Sequence, residues 1–372
     1  MNFLVRHLHV AFPSCRSLLL SLLRCVFALA WLIVAVVGAK PESNEPTGRL
    51  ITSAGIAINS QMHKVYAVDE GEGAVVVTDE HTGSRKSVKV GGAPIAIAIN
   101  RATNKIYVVN TGSDSISVID GEHDTVVATV KGGSHPYTIA VNEKSNKAYV
   151  TYTYDHIVTV IDGITNSVSA LETGSADGIA IDSNSNTLFL TTYEDPSMRI
   201  VNAATGTIRK VMVGAHLWGV AFDESSSKLY LAHTGTADIV SLDERTQAVS
   251  KIPVGQIPCA VALDEANHKI YAVNYGDETV SVIDTANGKV LATLRVGRHP
   301  QAVAVDPQRN RIYVANVHGN SVTVIDGARN RVIGSYEAGE HPYALAVDSV
   351  TGKVYAANYG TSASTLVDVP PL

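Results

Sequence analysis

Residues 94–133 read PIAIAINRATNKIYVVNTGSDSISVIDGEHDTVVATVKGG, and this stretch contains the four short runs PIAIAIN, NKIYVVN, SISVID and DTVVATVKG. The runs are rich in Val, Ile, Ala and Tyr, and clusters of Gly, Asn, Asp and Ser separate them. β-branched runs of this length, bounded by turn residues, are typical of β-strands. The stretch therefore predicts four consecutive strands joined by short turns.

The same pattern occurs eight times along the chain. One aromatic residue marks each copy, and consecutive marks are 40 to 42 residues apart: Tyr66, Tyr107, Tyr149, Phe189, Tyr230, Tyr271, Tyr313 and Tyr355. A fixed period in this range indicates a repeat architecture, and four antiparallel strands per repeat match one blade of a β-propeller. Because residues present in every copy usually belong to the scaffold, we expect these aromatic residues to lie in the core. We expect the same of the aspartates that end the third strands.

The number of strands predicts how many blades there are and how the ring closes. First-strand and third-strand matches each number eight, whereas fourth-strand matches number seven, because the chain ends at Leu372. The missing outer strand is predicted at residues 48–53, GRLITS. The two chain ends would then share the last blade, which leaves no unpaired sheet edge at the seam. We predict an all-β propeller of eight four-stranded antiparallel blades closed by this N-terminal strand, with seven blades as the alternative.

Three of the copies resemble the YVTN family of β-propeller repeats. They are IYVVNTGSDSISVIDGEHDTVVATVKGGSHPYTIAVN, KIYAVNYGDETVSVIDTANGKVLATLRVGRHPQAVAVD and RIYVANVHGNSVTVIDGARNRVIGSYEAGEHPYALAVD. The resemblance covers roughly residues 48 to 368, and it implies a propeller in an exported periplasmic or surface protein. The fourth copy departs most from this pattern, with Phe189 in place of Tyr and TTYEDPSMRIVN in its second half. We therefore expect its loops to differ in shape.

The first 39 residues have a different character. Arg6, Arg16 and Arg24 precede the apolar run CVFALAWLIVAVVGA at residues 25–39. A basic segment followed by an apolar run and small residues is typical of a cleavable secretory signal. The run is shorter than the about 20 residues that a membrane-spanning helix needs, although a retained anchor is the alternative. We predict a signal peptide at residues 1–39, a polar linker at 40–47 and a single propeller domain at 48–372. The exported protein would be periplasmic, secreted or at the cell surface, without stable membrane insertion after cleavage.

Cysteine content and charge restrict the possible partners. Cys259 is the only cysteine beyond the leader, so an internal disulfide is excluded there, and we expect this residue to be buried. Removing the three leader arginines from the 29 basic residues leaves 26 against 35 acidic residues, a net charge of −9. Nucleic-acid-binding surfaces collect basic residues. We therefore expect no nucleic acid partner.

The site prediction rests on two classes of loop. Propellers bind ligands mainly where the loops between strand four and the next strand one meet the loops between strands two and three. In this chain, histidine precedes an inner strand in four copies, and the second class of loop is rich in aromatic and acidic residues. Aromatic rings beside carboxylates suit recognition of a polar ligand. We predict a ligand-binding site formed by His135, Tyr154, Asp155, His156, Tyr193, Glu194, His216, Trp218, Tyr275, His299, His318 and His341.

Two functions follow from this site. The first is an exported binding or interaction propeller without catalysis and without a cofactor, whose partner is a small polar ligand, a peptide or a protein of the cell envelope. The second is a metal-dependent enzyme of the lactonase or lyase kind, with a divalent metal bound by His299 and His341, since neutral imidazole is a common metal ligand. The motifs C-x-x-C-H, G-x-S-x-G, H-E-x-x-H and the P-loop are missing from the sequence, which favours the first function.

Overall fold

The computed structural model describes residues 55–359, 364–367 and 369. Within these ranges the chain forms β-strands and two single-turn 3₁₀-helices, Thr111–Ser113 and Val317–Gly319. No helix in this part of the chain has the length and apolarity needed to cross a membrane. The all-β prediction is confirmed, whereas the predicted signal peptide and linker lie outside the described residues.

The strands are numbered here in chain order, blade by blade. The first four blades contain Ile56–Asn59 (β1), Lys64–Asp69 (β2), Ala74–Asp79 (β3), Arg85–Lys89 (β4); Pro94–Asn100 (β5), Lys105–Asn110 (β6), Ser115–Asp120 (β7), Thr125–Val130 (β8); Pro136–Asn142 (β9), Lys147–Tyr152 (β10), Ile157–Asp162 (β11), Val168–Glu172 (β12); and Gly178–Asp182 (β13), Thr187–Thr191 (β14), Ser197–Asn202 (β15), Ile208–Met212 (β16). The last four contain Leu217–Asp223 (β17), Lys228–His233 (β18), Asp238–Asp243 (β19), Val249–Pro253 (β20); Pro258–Asp264 (β21), Lys269–Asn274 (β22), Thr279–Asp284 (β23), Val290–Arg295 (β24); Pro300–Asp306 (β25), Arg311–Asn316 (β26), Ser321–Asp326 (β27), Arg331–Glu337 (β28); and Pro342–Val347 (β29), Val354–Asn358 (β30), Ser364–Val367 (β31).

Each blade is an antiparallel meander in which sequence neighbours pair. In the second blade, for example, Tyr107 on the second strand pairs with Ala98 on the first and Val118 on the third. Seven sheets have four strands, and the described residues of the eighth blade supply three. The fourth strand predicted there, residues 48–53, lies outside the described residues.

The blades form a closed ring. Their first strands contact one another in blade order, and the first strand of blade one also contacts the first strand of blade eight. Eight apolar clusters fill the eight interfaces between neighbouring blades. One of them joins Ile56 and Val65 of the first blade to Tyr343 and Tyr355 of the last. The prediction of eight blades is therefore confirmed, and the alternative of seven is wrong.

The aromatic residues that mark the repeats lie in these interfaces, as predicted. All eight are at most 5% exposed. Tyrosine hydroxyl groups bond to the next blade: Tyr66 donates to the Gly121 carbonyl at 3.3 Å, and Tyr149 donates to Asn186 Oδ1 at 2.8 Å. The sequence repeats every 40 to 42 residues because each interface between neighbouring blades contains one of these aromatic side chains.

A lysine at the start of the second strand adds a polar link to the next blade. Its ammonium group donates to a carbonyl in the turn between strands three and four of that blade. We call these contacts the lysine links; they are Lys64 to Gly121 (2.8 Å), Lys105 to Gly163 (2.7 Å), Lys269 to Gly327 (2.5 Å) and Lys353 to Glu80 (2.6 Å). The last one crosses the seam, so the first and last blades meet through the same contact as other neighbours.

Five of the six described aspartates that end the third strands are partly exposed turn residues, so the prediction that they lie in the core is wrong for them; it holds for Asp326, which is 5% exposed. Asp79, Asp120 and Asp162 are partly exposed. Their carboxylates accept backbone N–H groups two residues further on, at 2.9 Å in all three turns. The pKa of each carboxyl is held below its usual value, at Asp79 and Asp162 mainly by the backbone N–H three residues further on, and at Asp120 mainly by the His123 side chain. The residue recurs because every blade needs this turn.

Candidate functional site

The four corner histidines share an unusual backbone conformation. His135, His216, His299 and His341 have φ values of 53°, 61°, 49° and 52° and directly precede an inner strand. This is the left-handed region, in which His, Asn and Asp are several-fold enriched among residues other than glycine. Histidine at the corner is therefore explained in part by the turn itself, a reason that the sequence analysis missed. The sequence feature that could have indicated this turn is the Gly-x-His-Pro pattern.

Backbone hydrogen bonds tie the two classes of loop together. The carbonyls of His216, His299 and His341 accept the N–H of the residue that follows strand two of the same blade, at 3.0 to 3.2 Å. The His341 N–H also donates to Asn320 Oδ1 of the preceding blade, at 2.9 Å. The backbone of these histidines therefore holds the loops together, and their imidazole side chains lie at one end of the propeller.

The rings of two corner histidines, His299 and His341, lie on either side of a third imidazole, that of His318. His318 stands between His299 and His341, with ring centroids 4.5 Å and 5.9 Å away, and Tyr275 stacks on His299 at 4.7 Å. We call these four residues the imidazole cluster. The Nδ1 atoms of His299 and His318 are 2.5 Å apart, so one ring must donate a proton to the other. Burial, and then the two neighbouring imidazoles, lower the pKa of His318, which favours its neutral form.

A second group surrounds Tyr193 on the fourth blade. Its ring contacts His216 at a centroid distance of 4.7 Å and Trp218 at 6.2 Å. Trp218 is half-buried and packs on the same apolar cluster as Cys259 and Tyr275 of the sixth blade. The aromatic and histidine residues predicted for the site in blades four to eight therefore form two groups of ring contacts, which Trp218 and Tyr275 link through this cluster. We call the whole set the aromatic arc: Tyr193, His216, Trp218, Tyr275, His299, His318 and His341.

The third-blade residues form a separate group. His135 meets Tyr154 edge-to-face at 5.9 Å, and Tyr154 is 61% exposed. Asp155 accepts the Ser134 N–H, so this carboxylate closes the neighbouring turn. The exposed His156 contributes its carbonyl, which accepts the N–H groups of Thr173 and Gly174. Of this group, the rings of His135, Tyr154 and His156 are the parts available to a ligand.

A buried charged pair supports the fourth-blade loops, and the sequence analysis missed it. Arg199 on the third strand is 6% exposed and donates to the Ser175 carbonyl and, at 2.7 Å, to Thr192 Oγ1. Asp177, 7% exposed, accepts the Tyr193 N–H at 2.9 Å. Burial raises the pKa of Asp177 and lowers that of Arg199. The pair positions Tyr193, while Glu194 beside it is exposed.

Cys259 is buried, as predicted, and carries no reactive thiolate. Its thiol is 7% exposed and lies 3.6 Å from the Pro300 carbonyl. Burial raises the pKa of Cys259 to about 12. The residue acts as a small apolar group between the sixth and seventh blades.

The opposite end of the channel holds a cavity of about 560 Å³. Inner-strand residues such as Ile97 and Ile139 line it, together with Arg101, Glu143 and Glu224 in the turns between strands one and two. Arg101 and Glu143 are 3.4 Å apart, so opposite charges compensate each other there. None of the predicted site residues lines this cavity; they all belong to the other end.

Comparison with known proteins identifies the fold. No protein-family model and no curated protein sequence matches the chain. Among solved structures, the chain is similar to Kuenenia stuttgartiensis hydrazine synthase, with 18% identity and a TM-score of 0.59 over 89% of this chain and 99% of that one. It is also similar to the dihydro-heme d1 dehydrogenase NirN in complex with DHE, with 13% identity and a TM-score of 0.69 over 89% of this chain and 74% of that one. Identities this low support the β-propeller fold alone.

Proposed function

We propose that this chain is an exported binding propeller of the YVTN repeat type, that it acts without catalysis, and that the aromatic arc is its ligand-binding surface. One observation carries the proposal: rings from five consecutive blades, Tyr193 to His341, form two contact groups at one end of an otherwise regular scaffold, and Trp218 and Tyr275 link the groups through a shared apolar cluster. Neighbouring rings with polar edges favour a ligand that has a planar group and hydrogen-bonding groups around it.

The ligand class follows from the chemistry of the arc. Neutral imidazoles both donate and accept hydrogen bonds, and tyrosine and tryptophan rings offer rigid contact area at low entropic cost. A short peptide with an aromatic side chain, or a small planar polar molecule, would use both features. The exposed carboxylate of Glu194 favours a neutral or cationic group at the fourth-blade end of the arc.

Trp218 provides a direct test. Apart from Trp31 in the leader, it is the only tryptophan, so its emission reports on the arc alone once the leader is removed. We expect a saturable change in this emission when a library of aromatic dipeptides and tripeptides is titrated into the chain. Replacing Tyr193 or His299 by Ala should weaken binding, whereas replacing His268 at the other end of the sixth blade should not. Equal affinity of all three variants would contradict the proposal.

A metal-dependent enzyme is the second candidate, and the contact between the His299 and His318 nitrogens favours it. The nitrogens of His299, His318 and His341 do not all lie within 4.8 Å of one another in the described structure, so the cluster offers a pair of ligands rather than a trio. Metal bound in one equivalent and lost in a His299→Ala variant would support the enzyme.

One structural neighbour, NirN in complex with DHE, suggests one more ligand to include. NirN carries DHE, and an exposed imidazole can act as an axial ligand to haem iron. Covalent attachment does not fit this chain, because the sequence has no C-x-x-C-H motif and Cys259 is buried. Titration with hemin, followed by its Soret band in wild-type and His318→Ala protein, tests non-covalent binding at the imidazole cluster.

A further inference from the structure

The seam between the first and last blades brings together three ionisable side chains. His63 ends the turn between β1 and β2, Glu80 follows β3, and Asp348 follows β29 of the eighth blade. One ligand atom of each lies within 4.8 Å of the other two. Glu80 is 6% exposed and Asp348 is fully buried. The three side chains face one another across the interface where the ring closes.

Two of these groups lack hydrogen bonds of ordinary geometry. Both carboxylate oxygens of Glu80 and the Nδ1 atom of His63 are buried without such a bond. The groups near the Glu80 carboxyl are the Tyr355 hydroxyl and the Asp348 carboxyl. The nearby Lys353 donates to the backbone carbonyl of Glu80. By contrast, Glu244 holds the corresponding position in the fifth blade and pairs with Arg209 at 3.4 Å. Burying a carboxylate without compensation is unfavourable, so the seam has the donor set for a cation that would provide it.

Comparison with the other blades shows that this combination of three residues occurs at the seam alone among the described interfaces. The position of His63 is Asn in four blades and that of Glu80 is Gly in three. Where Asn fills both sides of the interface, the two amides simply bond to each other, as in Asn59 to Asn104 at 2.7 Å and Asn100 to Asn146 at 2.8 Å. The seam replaces that neutral bond by one imidazole and two carboxyl groups.

We propose that His63, Glu80 and Asp348 bind a divalent transition-metal ion, with Zn²⁺ as the reference ion, which joins the first blade to the last. Imidazole and carboxylate ligands suit ions of this class. Bonds of about 2.0–2.2 Å would require the three ligand atoms to approach one another, by side-chain movements on the order of 1 Å. This site is separate from the aromatic arc, because its residues belong to the opposite end of the blades, and it does not depend on the function proposed for the arc.

Zinc binding by the full chain, purified without a polyhistidine tag and treated with EDTA, tests the site. We expect calorimetry to show that one Zn²⁺ ion binds per chain, at the seam. We also expect a rise in Tm of about 4 °C when free zinc is about 100 times its Kd, since the ion binds the folded state. The variants His63→Asn and Glu80→Gly should lose both effects. Each introduces the residue that other blades carry at that position, so both are expected to fold.

His268→Asn is the matched control. His268 occupies the same turn position in the sixth blade, with the same φ of 53°, but the position that corresponds to Glu80 there is Thr285. This variant should bind zinc as the wild type does. The proposal is overturned if the treated chain binds no zinc, or if His63→Asn and Glu80→Gly bind it unchanged. Loss of binding in His299→Ala with binding retained in His63→Asn would place the ion at the imidazole cluster instead, and would also overturn it.

Discussion

Two tyrosines at the same position in neighbouring blades should respond oppositely to one substitution. Tyr107 and Tyr149 are both fully buried on second strands. The Tyr149 hydroxyl donates to Asn186 Oδ1 at 2.8 Å, whereas the Tyr107 hydroxyl is buried without a partner. Replacement by Phe removes one oxygen and keeps the ring, so the packing of each interface is preserved. The pair isolates the contribution of the hydroxyl group.

The magnitudes follow from the hydrogen bonds. An unsatisfied buried polar group costs about 1–3 kcal/mol, so Tyr107→Phe should raise the free energy of unfolding by about that amount. Tyr149→Phe loses a bond whose net contribution is about 0.5–1.5 kcal/mol, and it should lower the free energy of unfolding accordingly. The remaining contact of Asn186, with Asn142 at 2.8 Å, limits the loss.

Urea unfolding followed by Trp218 emission and circular dichroism measures both changes. The midpoints should move in opposite directions while the m-value stays constant, because neither variant alters the surface that unfolding exposes. The double variant should show the sum of the two effects, since the two hydroxyls lie in different interfaces. A decrease in stability for both single variants would refute the reasoning, because it would mean that the Tyr107 hydroxyl is satisfied in the folded protein.

Three further predictions concern the backbone, a buried acid and the chain ends. Ile257 has a φ of 51°, which costs a β-branched residue roughly 1–2 kcal/mol, so Ile257→Asn should raise the urea midpoint. An unchanged midpoint would mean that the backbone at this position is not strained. The raised pKa of Asp177 means that the folded state binds its proton more tightly than the unfolded state, so its contribution to stability is lost as pH rises above about 4. The free energy of unfolding of Asp177→Asn should therefore improve relative to the wild type between pH 4 and 7, and a constant difference would argue against the shift. Removing residues 48–53 should lower stability and solubility if they complete the eighth blade, and an unchanged melting curve would show that they do not.

The fold could be predicted from the sequence because one physical pattern recurs at a fixed interval. Alternating apolar runs identify strands, and an aromatic residue such as Tyr271 in every copy identifies the interface that each blade must fill. The same logic failed for Asp79, Asp120 and Asp162, because a residue can recur for its turn as well as for its packing. A carboxylate that accepts two backbone N–H groups makes the same turn whether it is partly exposed, as in Asp79, or buried, as in Asp326.

Other features depend on contacts that no local pattern contains. The buried Arg199 is distinguished from a surface arginine by the loop above it. His63 and Asp348 are 285 positions apart and meet because the ring closes. The sequence identified every member of the aromatic arc by residue type, but how the members are linked depends on Trp218, which contacts Tyr193 of the fourth blade and packs on the apolar cluster of the sixth.

The four lysine links all run in one direction, from a blade to its successor, and Lys353 continues the series into the first blade. The seam is joined in the same way as three other pairs of neighbouring blades, and the contacts between inner strands continue across it. New termini opened in a turn between outer strands, with the original ends fused, should therefore give a circularly permuted chain that folds to the same wheel. The natural position of the chain ends is marked instead by the side chains of His63, Glu80 and Asp348 at the seam, which a permuted chain would carry in the middle of its sequence.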